Sequence, residues 1–239
     1  MPADSPPSRI SLLDLFRGSA VLLMLVYHFC FDLRYFGVIR FNFESDPFWL
    51  IFRSIIVSSF VLAVGVSLAL STRNGLDPGR FIRRQAILVA AAAMVSLGTY
   101  LLFPSTWVVF GILHFIFVGR ILALFFLRFH AMNLLFALLF LLAGLLLEHP
   151  AFNHPWLHWL GMMTHKPFTE DYVPVLPWFG VLLLGIPLGK MFAQGRLPLQ
   201  FVSSLPTVLA PLSWLGRNSL AVYLLHQPLF MGILYLVVR

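Results

Sequence analysis

Four ionisable residues, Asp14, Arg17, His28 and Asp32, fall within a single apolar run, DLFRGSAVLLMLVYHFCFD. At about 100° per residue, the steps from Arg17 to His28 make close to three turns of an α-helix. Asp14 sits one turn before Arg17, and Asp32 one turn after His28. The four therefore share one stripe, with Val21, Met24 and Leu25 between them and Gly18 at its edge. An imidazole is the side chain best suited to moving protons near neutral pH. Asp32 is expected to fix its tautomer and ring orientation, as the carboxylate does for the histidine of a catalytic triad. The plainer alternative pairs Asp14 with Arg17 at one end and leaves Asp32 and Arg34 at the other, with His28 hydrogen-bonding a neighbouring helix. Ionisable groups within a membrane span are costly and usually serve function, which favours a cavity-lining stripe.

The element that carries this stripe is expected to be a membrane helix. Of 239 residues, 60% are hydrophobic and 10% charged, and the mean hydropathy is +0.91. Soluble domains are ~25% charged. So much apolar side chain cannot be hidden in one soluble core of this length. A soluble enzyme, a secreted disulfide scaffold, a disordered chain and a coiled coil are excluded, leaving an integral membrane protein. The net charge of +7 needs no nucleic acid partner, because cytoplasmic loops of membrane proteins collect Lys and Arg. The single cysteine, Cys30, excludes an intramolecular disulfide. The start, MPADSPPSRI, reads as a disordered tail over residues 1–8 followed by an uncleaved signal anchor.

A span needs about 20 apolar residues. Seven are expected, near residues 12–36, 48–70, 81–103, 107–127, 132–147, 174–192 and 212–237, the fifth being short. The fold class is thus all-α: a polytopic membrane helix bundle, with residues 9–239 as one transmembrane domain. Placing the N-terminus in the cytoplasm puts ten basic residues on the inner side and five outside, which satisfies the positive-inside rule. The C-terminus is then outside, as is the histidine-rich connection over residues 148–173.

Several segments also resemble a known family. LDLFRGSAVLLMLVYHFCFDL, with ten residues between Arg17 and His28, resembles the opening of the heparan-α-glucosaminide N-acetyltransferase catalytic-domain-like family. That family belongs with the transmembrane acyltransferases, many of which share the Arg-x10-His pattern. FVLAVGVSLAL, with Phe60, Gly65 and Ser67, resembles its second span, and FGILHFI, from Phe110, the start of its fourth. DYVPVLPWFGVLLLGIPLG, from Asp171, and LGRNSLAVYLLHQPL, from Leu215, are similar to its later helices. The resemblance implies a bacterial-type member in the plasma membrane. It also implies an acyl group, usually acetyl, moved from acetyl-CoA or another acyl-CoA to a hydroxyl or amine of a sugar-like acceptor. Acyl-CoA is then a cosubstrate and no cofactor stays bound. The partners are the lipid bilayer, the donor and the acceptor.

On that reading His28, Asp32 and Arg17 are the catalytic candidates, with Asp14 and Arg17 holding the donor from the cytoplasmic side. His114, near Gly111, and His226, above Asn218, are candidates for lining the acceptor site, against the plainer role of helix–helix hydrogen bonding. Arg120 lies inside a span and needs a partner, either Asp14 or a ligand phosphate. Asp171 and Tyr172 could meet a sugar hydroxyl at the outer mouth, or simply belong to an interfacial belt. Arg80, Arg83 and Arg84 could pair with coenzyme A phosphates, or form a plain positive-inside loop. His149, His154 and His158 have ligand-like spacing, but no Cys and no suitably placed acid completes a metal set. An interfacial segment is expected there, and no metal. Two rival functions use the same residues. One is a carrier of a small polar or lipid-linked metabolite along the stripe. The other is a b-type cytochrome with two of His28, His114 and His226 as axial ligands.

Overall fold

The computed structural model describes residues 11–129, 131–196 and 207–238. The expected tail over residues 1–8, Arg9, Arg239 and much of the connection over 193–211 lie outside the described residues. The described chain is helical, with no strand among the described residues. Its α-helices are α1 (Ser11–Tyr35), α2 (Pro47–Ser71), α3 (Pro78–Leu102), α4 (Ile112–Phe126), α5 (Met132–Leu146), α6 (Val175–Ala193), α7 (Ala210–Arg217) and α8 (Ser219–Val238).

Among the described residues, six helices are long and apolar enough to cross a membrane: α1, α2, α3, α6, α8, and α4 with the 3-10 turn that continues it to Phe129. The expected all-α bundle of about seven apolar helices is present, the fifth being the short one. Helix α5 has 15 residues, about 22 Å at ~1.5 Å per residue, and falls short of a ~30 Å hydrocarbon layer. The segment expected as one helix over residues 212–237 is two. Asn218, with φ −106° and ψ 19°, ends α7, and its Nδ2 donates to Trp214 O at 2.9 Å.

The chain forms two compact units, residues 1–59 with 197–239, and residues 60–196. In the first, α1 packs against α7 and α8. The approach to α7 is backbone to backbone. A Cβ on Gly18 would collide with the carbonyl of Leu212, and one on Gly216 with the carbonyl of Asp14. Small residues at such a crossing let membrane helices associate through van der Waals contact. On another side of α1, Tyr27 meets Phe43 and Trp49 at ring-centroid distances of 5.5 and 5.8 Å.

In the second unit, α6 is the central element. Gly185 and Gly189 abut the backbone of Leu62 and Val66, and Gly65 abuts Leu182, so the end of α2 and α6 cross closely. Helix α5 lies along α6 through Gly144 against Pro177 and Gly180 against Ala137. Phe126 and Phe140 cap that seam on the buried Phe179, with centroids 5.5 and 5.1 Å away. The outward side chains of α5, including Leu135, Leu138 and Leu142, are exposed, as suits a surface in contact with lipid.

Candidate functional site

The stripe on α1 is real, and in the first unit it faces α7 and α8. Asp14, Gly18, Val21, Met24 and Asp32 are buried, while Arg17, Leu25 and His28 are half-buried. At the N-terminal end, Arg17 Nη1 lies 3.8 Å from Asp14 Oδ1, the pairing the spacing predicts. At the other end, the imidazole of His28 meets that of His226 edge to face, with centroids 4.8 Å apart. One turn further along α1, Asp32, which is 1% exposed, accepts a hydrogen bond from Gln227 Nε2 at 2.6 Å. His226 is itself buried, and its Nδ1 lies 2.6 Å from the carbonyl of Tyr223. The first unit thus brings His28, Asp32, His226 and Gln227 into one polar cluster between two apolar helices.

Two of the candidates contact groups that the sequence did not pair with them. Asp32 was expected to orient His28, but its side chain is held by Gln227, and no hydrogen bond joins the two among the described residues. Asn218 was expected to touch substrate, but its amide caps the end of α7. Gln227 went unnoticed in the sequence because one amide in an apolar run reads as incidental. The signal was its place between a mid-span histidine and Pro228. Proline removes a backbone N–H and loosens the helix there.

The second unit holds the remaining candidates, and most of them have structural partners. His114 Nδ1 accepts from the backbone N–H of Gly111 at 3.2 Å, which places its proton on Nε2, 3.3 Å from Ser96 Oγ. Ser96 passes the chain on to the carbonyl of Val108 at 2.6 Å. His114 therefore ties the start of α4 to α3. Asp171 Oδ2 accepts from the backbone N–H of Ile112 at 2.8 Å. A carboxylate there meets both a free amide and the positive end of the helix dipole. Tyr172 donates to the carbonyl of His158 at 2.6 Å, and burial pushes its phenol up from the ordinary value. Arg120 is buried, donates to Gln85 Oε1 at 3.0 Å and lies over the ring of Phe81. Gln85 also donates to Phe117 O at 3.0 Å, so this overlooked amide bridges α3 to α4. Arg80 pairs with Asp77 at 3.6 Å, and Arg80, Arg83 and Arg84 are exposed around a shallow depression with Ile87. His149 Nδ1 accepts from the amide of Ala151, and His158 Nε2 contacts Asn153 O, so both serve local turns.

Residues 9–228 match the sequence profile of heparan-alpha-glucosaminide N-acetyltransferase, catalytic. The chain belongs to that family. No curated protein and no solved structure matches it. The match runs from the segment just before the α1 stripe to Pro228, so it takes in every residue of the polar cluster in the first unit. Membership in the heparan-alpha-glucosaminide N-acetyltransferase catalytic family identifies the chain as a membrane protein of acyltransferase type. The six apolar helices agree with that.

Proposed function

We propose that this protein is a membrane-bound acyltransferase that moves an acetyl group from acetyl-CoA to a hydroxyl or amine of a sugar-like acceptor. The observation that carries the reading is the contact of His28 with His226, 4.8 Å apart on two apolar helices within the family match. Histidines are expensive to place in a membrane span without a task. In the reaction, the acceptor's oxygen or nitrogen attacks the thioester carbonyl carbon. The new C–O or C–N bond forms as the C–S bond breaks. His28 takes the proton from the nucleophile and returns it to the departing thiolate, giving free coenzyme A. General-base assistance of this kind supplies about 10²–10⁴-fold. Arg17, paired with Asp14 towards the N-terminal end of α1, holds the donor arm.

The structure disfavours the cytochrome alternative for one histidine pair. His28 and His226 stand edge to face and too close to bracket a porphyrin between them. The carrier alternative is separated by experiment. Purified protein is given labelled acetyl-CoA and, in parallel, reconstituted into vesicles. Saturable donor binding with release of coenzyme A supports acyl transfer. Uptake of unmodified solute without any acyl-CoA would replace it with transport.

A further inference from the structure

Helix α3 carries three arginines in its first two turns, Arg80, Arg83 and Arg84. The N-terminal end of a helix bears partial positive charge, which disfavours cations there. Asp77 offsets one of them. It caps the helix by accepting from Arg80 N, and its carboxylate pairs with the Arg80 guanidinium. It is also the only acidic residue between Asp46 and Glu148. Arg83 and Arg84 are exposed and form no ion pair among the described residues. Other basic side chains of the second unit stand differently. Arg73 follows the C-terminal end of α2 and Arg196 that of α6, while Lys190, in the last turn of α6, donates to the carbonyl of Leu127. Helix C-terminal ends favour cations. Arg83 and Arg84 thus form a pair of charges that the dipole opposes and no internal acid balances.

The surface beside them indicates which anion fits. Arg83 heads a line of exposed residues spaced three and four apart: Ile87, Ala90, Met94, Leu97 and Leu101. That spacing keeps them on one face of α3. The line runs about 27 Å at ~1.5 Å per residue, most of a ~30 Å hydrocarbon layer. Helix α3 is the least buried span of the second unit and packs mainly on α4, which leaves this face open to acyl chains. A cationic head continuous with an apolar track matches one molecule that carries both a phosphate and acyl chains. A soluble phosphate compound would use the arginines and gain nothing from the track.

We propose that Arg83 and Arg84 bind the phosphodiester headgroup of an anionic phospholipid, whose acyl chain lies along Ile87, Ala90 and Met94. Guanidinium forks suit phosphate oxygens, and the positive end of α3 adds to the attraction. The bound lipid ties down the span that the protein itself buries least. The inference is independent of the acyl-transfer reading.

Native mass spectrometry of the full-length protein in detergent tests this, with titrations of dioleoylphosphatidylglycerol and, in parallel, the zwitterionic dioleoylphosphatidylcholine. The wild type is expected to retain the anionic lipid selectively and to keep it in the presence of excess acetyl-CoA. In Arg83→Gln/Arg84→Gln its affinity falls about 30-fold, two headgroup charges at about fivefold each. Arg73→Gln/Arg196→Gln removes the same net charge from helix C-terminal ends and is expected to bind as the wild type does. Equal retention of the two lipids, or an equal loss in both double variants, overturns the proposal. Displacement of the lipid by acetyl-CoA also overturns it and assigns the arginines to a soluble phosphate ligand. The wild-type comparisons hold even if a variant misfolds, and none of these readouts depends on turnover.

Discussion

Asp32 and Gln227 are joined by a 2.6 Å hydrogen bond between α1 and α8, although 195 positions separate them in the chain. The bond fixes a carboxylate and an amide beside two histidines. The carboxylate steadies the residue opposite, one turn from His28, and does not grip the imidazole itself.

Asp32→Asn keeps the shape of that contact but weakens a charge-assisted bond into a neutral one. If Asp32 acts through Gln227, the variant raises KM for the acceptor several-fold, with a smaller change in kcat. Steady-state kinetics with varied acceptor checks this. A collapse of kcat at unchanged KM would instead restore Asp32 to the role of orienting His28.

Gly18 and Gly216 hold α1 against α7, and a Cβ on either would strike the carbonyl of the other helix. Gly18→Val or Gly216→Val therefore destabilises the first unit by about 1–3 kcal/mol, the usual range for forcing extra methyl groups into a packed contact. Thermal unfolding in detergent reads this, and an unchanged melting temperature would show that the helices do not meet there.

Asp171 caps α4, and that predicts a stability effect with little kinetic consequence. Asp171→Ala is expected to cost about 0.5–2 kcal/mol, as loss of a helix cap does, and to leave acceptor KM unchanged. A large rise in KM in a normally stable variant would return Asp171 to the substrate site.

Tyr172 gives a pH dependence whose sign follows from its burial. Its folded pKa is raised above the unfolded value of 10.0. Its contribution to stability is therefore fully present below about pH 10 and is lost as pH climbs through the folded value. Tyr172→Phe removes the bond to His158 O, costing about 1 kcal/mol near neutrality, and flattens the alkaline fall. Melting curves across alkaline pH would show both effects or contradict them.

Much of this was legible in the sequence. The α1 stripe follows from helical periodicity alone, and Asp14 and Arg17 pair as that periodicity requires. The six long helices follow from runs of apolar residues. What the sequence hid were partners distant along the chain. Gln227 looks incidental in an apolar run, and Gln85 looks like one more polar residue after Arg83 and Arg84, until Asp32 and Arg120 are found against them. The division between α7 and α8 was hidden because no glycine or proline stands at Asn218 to announce it. His114 was read as a cavity candidate, because nothing in a linear pattern shows that Gly111 and Ser96 occupy both its nitrogens.

The most direct test of the central claim is turnover of labelled acetyl-CoA by purified protein, wild type beside His28→Ala. The account predicts coenzyme A release by the wild type and a loss of about 100-fold or more in the variant, with the same melting temperature in both. A His28→Ala protein that turns over acetyl-CoA at the wild-type rate would contradict it.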